Sequence, residues 1–296
     1  MDHAGAQNNP RRALLLSAPT MAWLFMFFVV PMAFVVGISV LTSGSYGELE
    51  RPVTFEHYKR FFGFGTFGWE PLYPLILARS LFLAALTMLL CLLLGLPLAF
   101  WIAGLSDRWK TFALTLVIIP LWTNLLVRTY AWQLLLAPQG FLAKIAVTLG
   151  FIHAGESLYP GPGAVFLALV CDYLPFLALP LYASVEKIDW TLAEAARDLG
   201  ANGWNVFRHA VLPQIVPGMA AGIILVFVPA TGQFVIPNLL GGSKTVLLGN
   251  VIQQQFGASR NWPFGSAVAS VAILIVLLAL TCYARSTGRR GNAKTL

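Results

Sequence analysis

Six stretches of roughly 20 or more mostly apolar residues organise this chain: 17–41, 80–105, 112–136, 163–184, 215–236 and 263–283. As α-helices rising about 1.5 Å per residue, each is long enough to cross the hydrocarbon core of a bilayer. Within lipid every backbone N–H and C=O needs an internal partner, which leaves helices and closed barrels as spanning structures. None of the runs alternates with the two-residue period of a barrel strand. The sequence therefore predicts an all-α integral membrane protein with six transmembrane helices. Composition agrees: 58% of residues are hydrophobic and 10% charged, against roughly 45–50% and 25% in soluble proteins. The mean hydropathy is +0.75. So few polar side chains cannot cover a soluble surface. The first run, about 25 residues with no A-x-A site behind it, is too long for the apolar core of a cleaved signal.

Basic residues flanking the runs set orientation, because Lys and Arg concentrate on the cytoplasmic side. One side carries Arg11, Arg12, Arg108, Lys110, Lys187, Arg197, Arg208, Arg285, Arg289, Arg290 and Lys294. The other carries Arg51, Lys59, Arg60, Arg79, Lys144, Lys244 and Arg260. The denser side places both termini in the cytoplasm, as an even number of spans requires. The basic balance is thus topological: no helix carries the basic stripe of a nucleic-acid binder, and no nucleic-acid partner is expected. Cys91, Cys171 and Cys282 lie inside the runs and read as small buried apolar residues, not a disulfide framework. The long outer loop holds aromatics, glycines and the acids Glu48, Glu50, Glu56 and Glu70, and is expected to rest on the membrane surface or meet an external partner. The segment 138–162, punctuated by Gly and Pro, is expected to re-enter in part. On the inner side one connection is long, 185–214.

That connection carries the strongest local pattern. Thr191 and Glu194 have capping-box spacing, each able to satisfy the other's free backbone N–H at a helix start. Leu192, Ala196 and Leu199 fall on one helical face, and Gly200 suits the left-handed residue after a helix end. A second short helix is expected from about Asn202, with Trp204, Phe207 and Val211 on one face, stopping at Pro213. Such a helix–Gly–helix elbow cannot bury its apolar face alone. It is either a docking element for a groove on a partner or a helix pair lying among the headgroups.

Glu194-Ala195-Ala196, Gly200 and the Leu212-Pro213 pair, at these offsets, resemble the EAA loop of permease subunits in binding-protein-dependent ABC importers. Ala210 departs from the pattern, which has Ile or Val there. Further segments are similar to the spermidine/putrescine-type permeases: Leu126 to Trp132, Leu174-Pro175-Phe176, Phe234 to Gly242 and Asn261-Trp262-Pro263. The resemblance covers nearly the whole chain from the first span. It implies the type I importer permease fold with both termini inside, in a bacterial inner membrane. It also implies a cytoplasmic tail 1–16, a first span 17–41, a periplasmic loop 42–78, a permease core 79–284 holding the coupling loop 185–214, and a basic tail 285–296. In the family, the EAA loop forms coupling helices that fit a groove on an ATPase. The implied partners are a cytoplasmic ABC ATPase dimer, a second homologous permease subunit, a periplasmic solute-binding protein and the lipid bilayer. No cofactor is expected in this chain; ATP and Mg would sit on the ATPase. The implied cargo is a small solute, a polyamine such as spermidine or putrescine being favoured. Gln233, Asn238, Gln255 and Asn261 stand where polyamine members tend to be acidic, which keeps another amine or an aminophosphonate open.

Two strongly charged residues fall well inside the runs. Arg128 and Asp172 both lie roughly 12–14 Å from the outer ends of their helices at about 1.5 Å per residue. A charge near the bilayer centre costs about 2.5–3.5 kcal/mol even on insertion scales. Either the two neutralise each other, or Asp172 faces the translocation path and receives a cationic amine while Arg128 caps a helix end or sets the local potential. In the fifth run Pro229, Gly232, Gln233 and Pro237 break the helix, either as a kink in a packed bundle or as a gate that Gln233 lines. Enzymatic chemistry has no support: His3, His57, His153 and His209 are scattered, with no metal or general-base spacing. Residues Leu240 to Thr245 lack the glycine before the lysine that a P-loop needs. An ion-coupled secondary transporter would show paired broken helices in inverted repeats, and no such repeat is visible.

Overall fold

The computed structural model describes residues 10–44, 49–50, 53–65, 68–153 and 155–292. His3, Glu48, Arg51 and Lys294 lie outside them, as do the side chains of Arg11, Arg12, Lys244, Cys282, Arg285, Arg289 and Arg290. Among the described residues five helices are long and apolar enough to cross a membrane: residues Ser17–Ser39, Leu72–Ala103, Pro162–Val185, Gly203–Thr231 and Trp262–Thr281. The remaining run, expected as a straight span over 112–136, is instead a bent pair, Asp107–Trp122 with Leu125–Thr148, turned by 98° at the break. The cause is local. Thr123 takes an extended conformation, and the Asn124 side chain accepts from the Leu126 N–H at 2.8 Å, so one helix stops and a newly capped one starts.

The chain divides into two units, residues 71–253 and residues 1–70 with 254–296. The first unit is built on α4 (Leu72–Ala103), α5 (Asp107–Trp122), α6 (Leu125–Leu136), α7 (Phe141–Thr148), α8 (Pro162–Val185), α9 (Trp190–Asp198), α10 (Gly203–Val206) and α11 (Leu212–Thr231). Its centre is α8, whose apolar stretch is 61% buried where that of the first span is 6% buried. A helix apolar all round is one that neighbours surround, and α4 and α11 are those neighbours. They approach closely because small residues face it. A Cβ on Gly218 would run into the Pro180 carbonyl oxygen, and one on Gly222 would lie 3.1 Å from the Leu177 oxygen. Gly218 and Gly222 thus form the small-x3-small stripe by which membrane helices pack. After α11 the chain breaks at Gly232–Gln233, makes a wide turn at Pro237–Gly241, and enters α12 (Leu248–Phe256).

The second unit pairs the two ends of the chain. α1 (Pro10–Leu24) runs through a wide turn, Phe25–Val29, into α2 (Val30–Ser39), which packs on α13 (Trp262–Asn292). α13 continues through the basic segment expected as a separate tail, as far as Asn292. The outer loop of this unit holds α3 (Glu56–Phe61) between two small antiparallel hairpins. Thr42–Ser43 (β1) pairs with Leu49–Glu50 (β2), and Phe64–Gly65 (β3) with Gly68–Trp69 (β4). Cys91 is buried as expected, but Cys171 is exposed on the surface of α8.

Candidate functional site

The inner loop folds as a helix–glycine–helix elbow, with its caps placed differently from the sequence expectation. Asp189, not Thr191, is the N-cap of α9: its carboxylate accepts from the Thr191 N–H at 3.0 Å and the Thr191 hydroxyl at 2.6 Å. Asp is as good a cap as Thr and sits two residues nearer the end of α8. Glu194 is therefore left exposed, free of the capping role expected of it. The hydroxyl and then the backbone N–H of Thr191 hold the Asp189 carboxyl below the usual range. The C-terminal end follows the expectation. Gly200 has φ +81°, its N–H donates to the Arg197 oxygen at 2.8 Å, and the Ala201 N–H donates to the Ala196 oxygen at 3.0 Å. That pattern is the Schellman cap.

The face turned inward is made of alanines: Ala193 is 1% exposed and Ala196 packs on the core, with Ala195 outward. Leu192 and Leu199, expected on the same face as Ala196, turn outward, and Leu199 is 89% exposed. The second helix does not stop at Pro213. It runs from Gly203 to Thr231 as one span, because a wide turn at Phe207–Val211 absorbs the proline. There the Leu212 N–H donates to Phe207, five residues back, which opens the coil where the proline ring would otherwise meet a carbonyl. Along this helix Val206 and Val211 are buried, Phe207 is half-buried, and Trp204 is exposed with its ring stacked on Phe207 at 5.9 Å.

Two braces that sequence reasoning missed hold the elbow's base. Gln214 Oε1 accepts from the Asp189 N–H at 2.9 Å while its Nε2 donates to the Ala210 oxygen at 2.8 Å, tying the start of α9 to the start of α11. Lys110 on α5 pairs with Glu186 at 3.2 Å. The Tyr182 hydroxyl and Lys110 together hold the Glu186 carboxyl below its ordinary range. A polar residue directly after the Leu-Pro pair was the available signal for Gln214, and the Gly218-x3-Gly222 spacing was the signal for the packing stripe.

Inside the membrane the structure brings Arg128 and Asp172 together, with Arg128 Nε 2.6 Å from Asp172 Oδ1. Asp172 is 4% exposed. The guanidinium also donates to the Pro120 carbonyl, so Arg128 joins α8 to the last turn of α5 across the break. Counting residues from the end of a straight helix does not give the depth of Arg128, since α6 has turned; the ion pair itself sets the level. Asp172 Oδ2 is buried with no hydrogen-bond partner among the described residues. Next along α8, the Tyr173 hydroxyl accepts from Gln233 Nε2 at 3.2 Å. Gln233 Oε1 accepts from the N–H groups of Phe234 and Val235 and so caps the chain after the break. Arg128, Asp172, Tyr173 and Gln233 therefore form one polar string, of which Tyr173 was not anticipated.

Two further amides, Asn250 and Asn261, bond the backbone. Asn250 Nδ2 donates to Asn238 Oδ1 and, at 3.0 Å, to the Phe234 oxygen. Asn261 Oδ1 accepts from the Phe264 N–H at 3.1 Å, capping α13. Among the described residues no group of three or more His, Cys, Asp or Glu side chains is placed to hold a metal ion.

Residues 95–288 match the family described as binding-protein-dependent transport system inner membrane component. The chain is 39% identical over 263 residues to the spermidine/putrescine transport system permease protein PotB of Haemophilus influenzae, covering 88% of this chain and 90% of that one. It is 38% identical over 265 residues to PotB of Escherichia coli, covering 90% and 94%. Among solved structures it is similar to a chain of a bacterial alginate ABC transporter in complex with an alginate pentasaccharide-bound periplasmic protein. That likeness has a TM-score of 0.72 at 18% identity, over 94% of this chain and 96% of the other.

Proposed function

We infer the work of this chain from the family to which it belongs, the binding-protein-dependent transport system inner membrane components. It is a permease subunit of an ABC importer, a multi-pass protein of the inner membrane. We propose that it translocates a small amine, a polyamine such as spermidine or putrescine being favoured, because the PotB relatives carry that activity in their names and match most of its length. A periplasmic binding protein delivers the solute, and a second, homologous permease completes the path. A pair of ATPases, carrying ATP and Mg, drives transport from the cytoplasm.

The coupling element is Glu194, Ala195, Ala196, Gly200, Leu212 and Pro213. The observation that carries this reading is a helix pair whose apolar side chains Leu192, Leu199 and Trp204 stay exposed while its second helix continues unbroken into α11. A groove on an ATPase is the partner such an exposed face fits. Displacement of the elbow passes along α11, through the Gly218–Gly222 contact to α8, and so to Asp172, Tyr173 and Gln233. There the second oxygen of Asp172, which has no hydrogen-bond partner among the described residues, receives the cationic amine.

Uptake of radiolabelled spermidine into vesicles holding the whole transporter tests this. A Cβ on Gly200 meets nothing within 4 Å in this chain, so a substitution is opposed only by the +81° φ and by whatever docks there. Asn tolerates that backbone and Val does not. Gly200→Val abolishes uptake while the chain still inserts, whereas Gly200→Asn retains the cap and isolates the effect of bulk at the docked surface. Normal uptake by Gly200→Val sinks the coupling role. Uptake that persists without the ATPase but collapses with the ion gradient makes this a secondary transporter.

A further inference from the structure

The outer loop of the second unit is fixed at one height. The Thr54 N–H donates to the Val40 oxygen at 2.7 Å, the His57 ring nitrogen lies 2.9 Å from the Leu41 oxygen, and the Tyr58 and Ser39 hydroxyls are 2.6 Å apart. All three contacts tie α3 to the outer end of α2. On its other side α3 meets the first turn of α13, with the Arg60 guanidinium 4.6 Å over the Phe264 ring and His57 6.3 Å from it. A six-residue helix anchored to the ends of two spans in this way stands level with the membrane–water boundary.

Its surface is not that of a water-facing loop. Phe61 is buried, but its neighbour Phe62 is exposed, as are Val53 and Phe55 ahead of the helix. Beyond Gly63, whose φ of +92° turns the chain, Phe64 and Trp69 face each other across the β3–β4 pair, both about two-thirds exposed at 67% and 68%. The charged residues here that are described, Glu50, Glu56, Lys59, Arg60 and Glu70, include both signs, so the patch has no strong field of its own. Phe34 and Val36 of α2, which is part of a helix long and apolar enough to cross a membrane, are exposed too.

We propose that α3 and the β3–β4 hairpin form an interfacial anchor seated in the outer leaflet. Phe62, Phe64 and Trp69 enter the headgroup–acyl boundary, and Lys59 reaches the phosphates. Aromatic side chains with an amphipathic neighbour are favoured at that depth, and the contacts from Ser39 and Leu41 hold the patch at the end of α2. The anchor fixes the outer ends of the first and last spans relative to the bilayer.

Spin labels on single cysteines test it, in the whole transporter in nanodiscs of phosphatidylethanolamine and phosphatidylglycerol. Cysteine replaces Phe62, Phe64 or Glu56 in a background with Cys91, Cys171 and Cys282 removed, each variant first checked for solute uptake. Labels at Phe62 and Phe64 should show an oxygen-to-nickel accessibility ratio several-fold above that at Glu56, unchanged when binding protein is added. Equal ratios at all three positions overturn the anchor. So does a patch open to nickel until binding protein covers it, which would make it a protein-docking surface instead.

Discussion

Asp172 shows how much one side chain can decide. Its carboxylate is 4% exposed in the most buried of the described spans, 2.6 Å from the Arg128 guanidinium. Removing one member of such a pair leaves a buried charge uncompensated, at about 3–5 kcal/mol, whereas replacing both with apolar residues of similar size is often neutral. Asp172→Asn is therefore expected to unfold well below wild type in a thermal melt in detergent, with Asp172→Leu/Arg128→Met recovering most of the loss. The double variant also separates structure from transport. If it is as stable as wild type and fails to move spermidine, the carboxylate acts on the cargo; unchanged transport affinity leaves the pair a structural bridge. Both residues were legible in the sequence as isolated charges in apolar runs. Tyr173 was not, because a tyrosine in a membrane helix carries no cost that draws attention to it until its hydroxyl is seen to meet Gln233.

At the scale of elements, the spans were legible and their interruptions only partly so. Gly232 and Pro229 announced the break after α11, but the break between α5 and α6 hides behind flanks rich in Leu and Ile, which dominate any average of hydropathy. The signal was there in Asn124, a cap residue set just after Pro120 and Thr123. In the elbow the capping-box spacing of Thr191 and Glu194 was a sound reading that lost to a better-placed competitor, Asp189.

That competitor makes α9 sensitive to acid. A carboxyl whose folded pKa is depressed contributes stability above its unfolded value, about 4, and that contribution is lost as pH falls through the folded value. Amide exchange across 190–198, corrected for intrinsic rate, should thus lose protection below about pH 4. Asp189→Asn, which caps without titrating, should remove the pH dependence; an unchanged profile in that variant assigns the sensitivity to another group. Packing gives a second expectation. Gly218→Val drives a side chain into the Pro180 carbonyl, which belongs to the backbone and cannot turn aside. Overpacking of this kind costs about 1–3 kcal/mol. Trimming the facing Ser184 to Gly should not restore the melting temperature, and full restoration would mean that the Ser184 side chain alone made the clash.

The elbow exposes apolar side chains, and residues Leu240 to Thr245 lack the glycine before the lysine that a phosphate loop needs. Residues Leu240 to Thr245, the nearest thing to a phosphate loop, are a packing turn: Gly241 is buried with its Cα face toward Val165 and Thr245, and Gly242 turns the chain at φ +59°. On the function proposed above, energy for transport arrives through the elbow. Leu199 is the point at which to test that, since at 89% exposed it stabilises little in this chain. Leu199→Glu should change the melting point of the purified chain by no more than an ordinary surface substitution, within about 0.5 kcal/mol. Where the ATPase docks on the elbow as proposed, the same change places a carboxylate in an apolar docking face, and removing a charge from water without a partner is costly. The expected outcome is a stable permease that no longer retains the ATPase on purification and imports no solute. If the ATPase stays bound and uptake continues, the contact is made elsewhere, and the exposed leucines of the elbow serve only to rest on the inner leaflet.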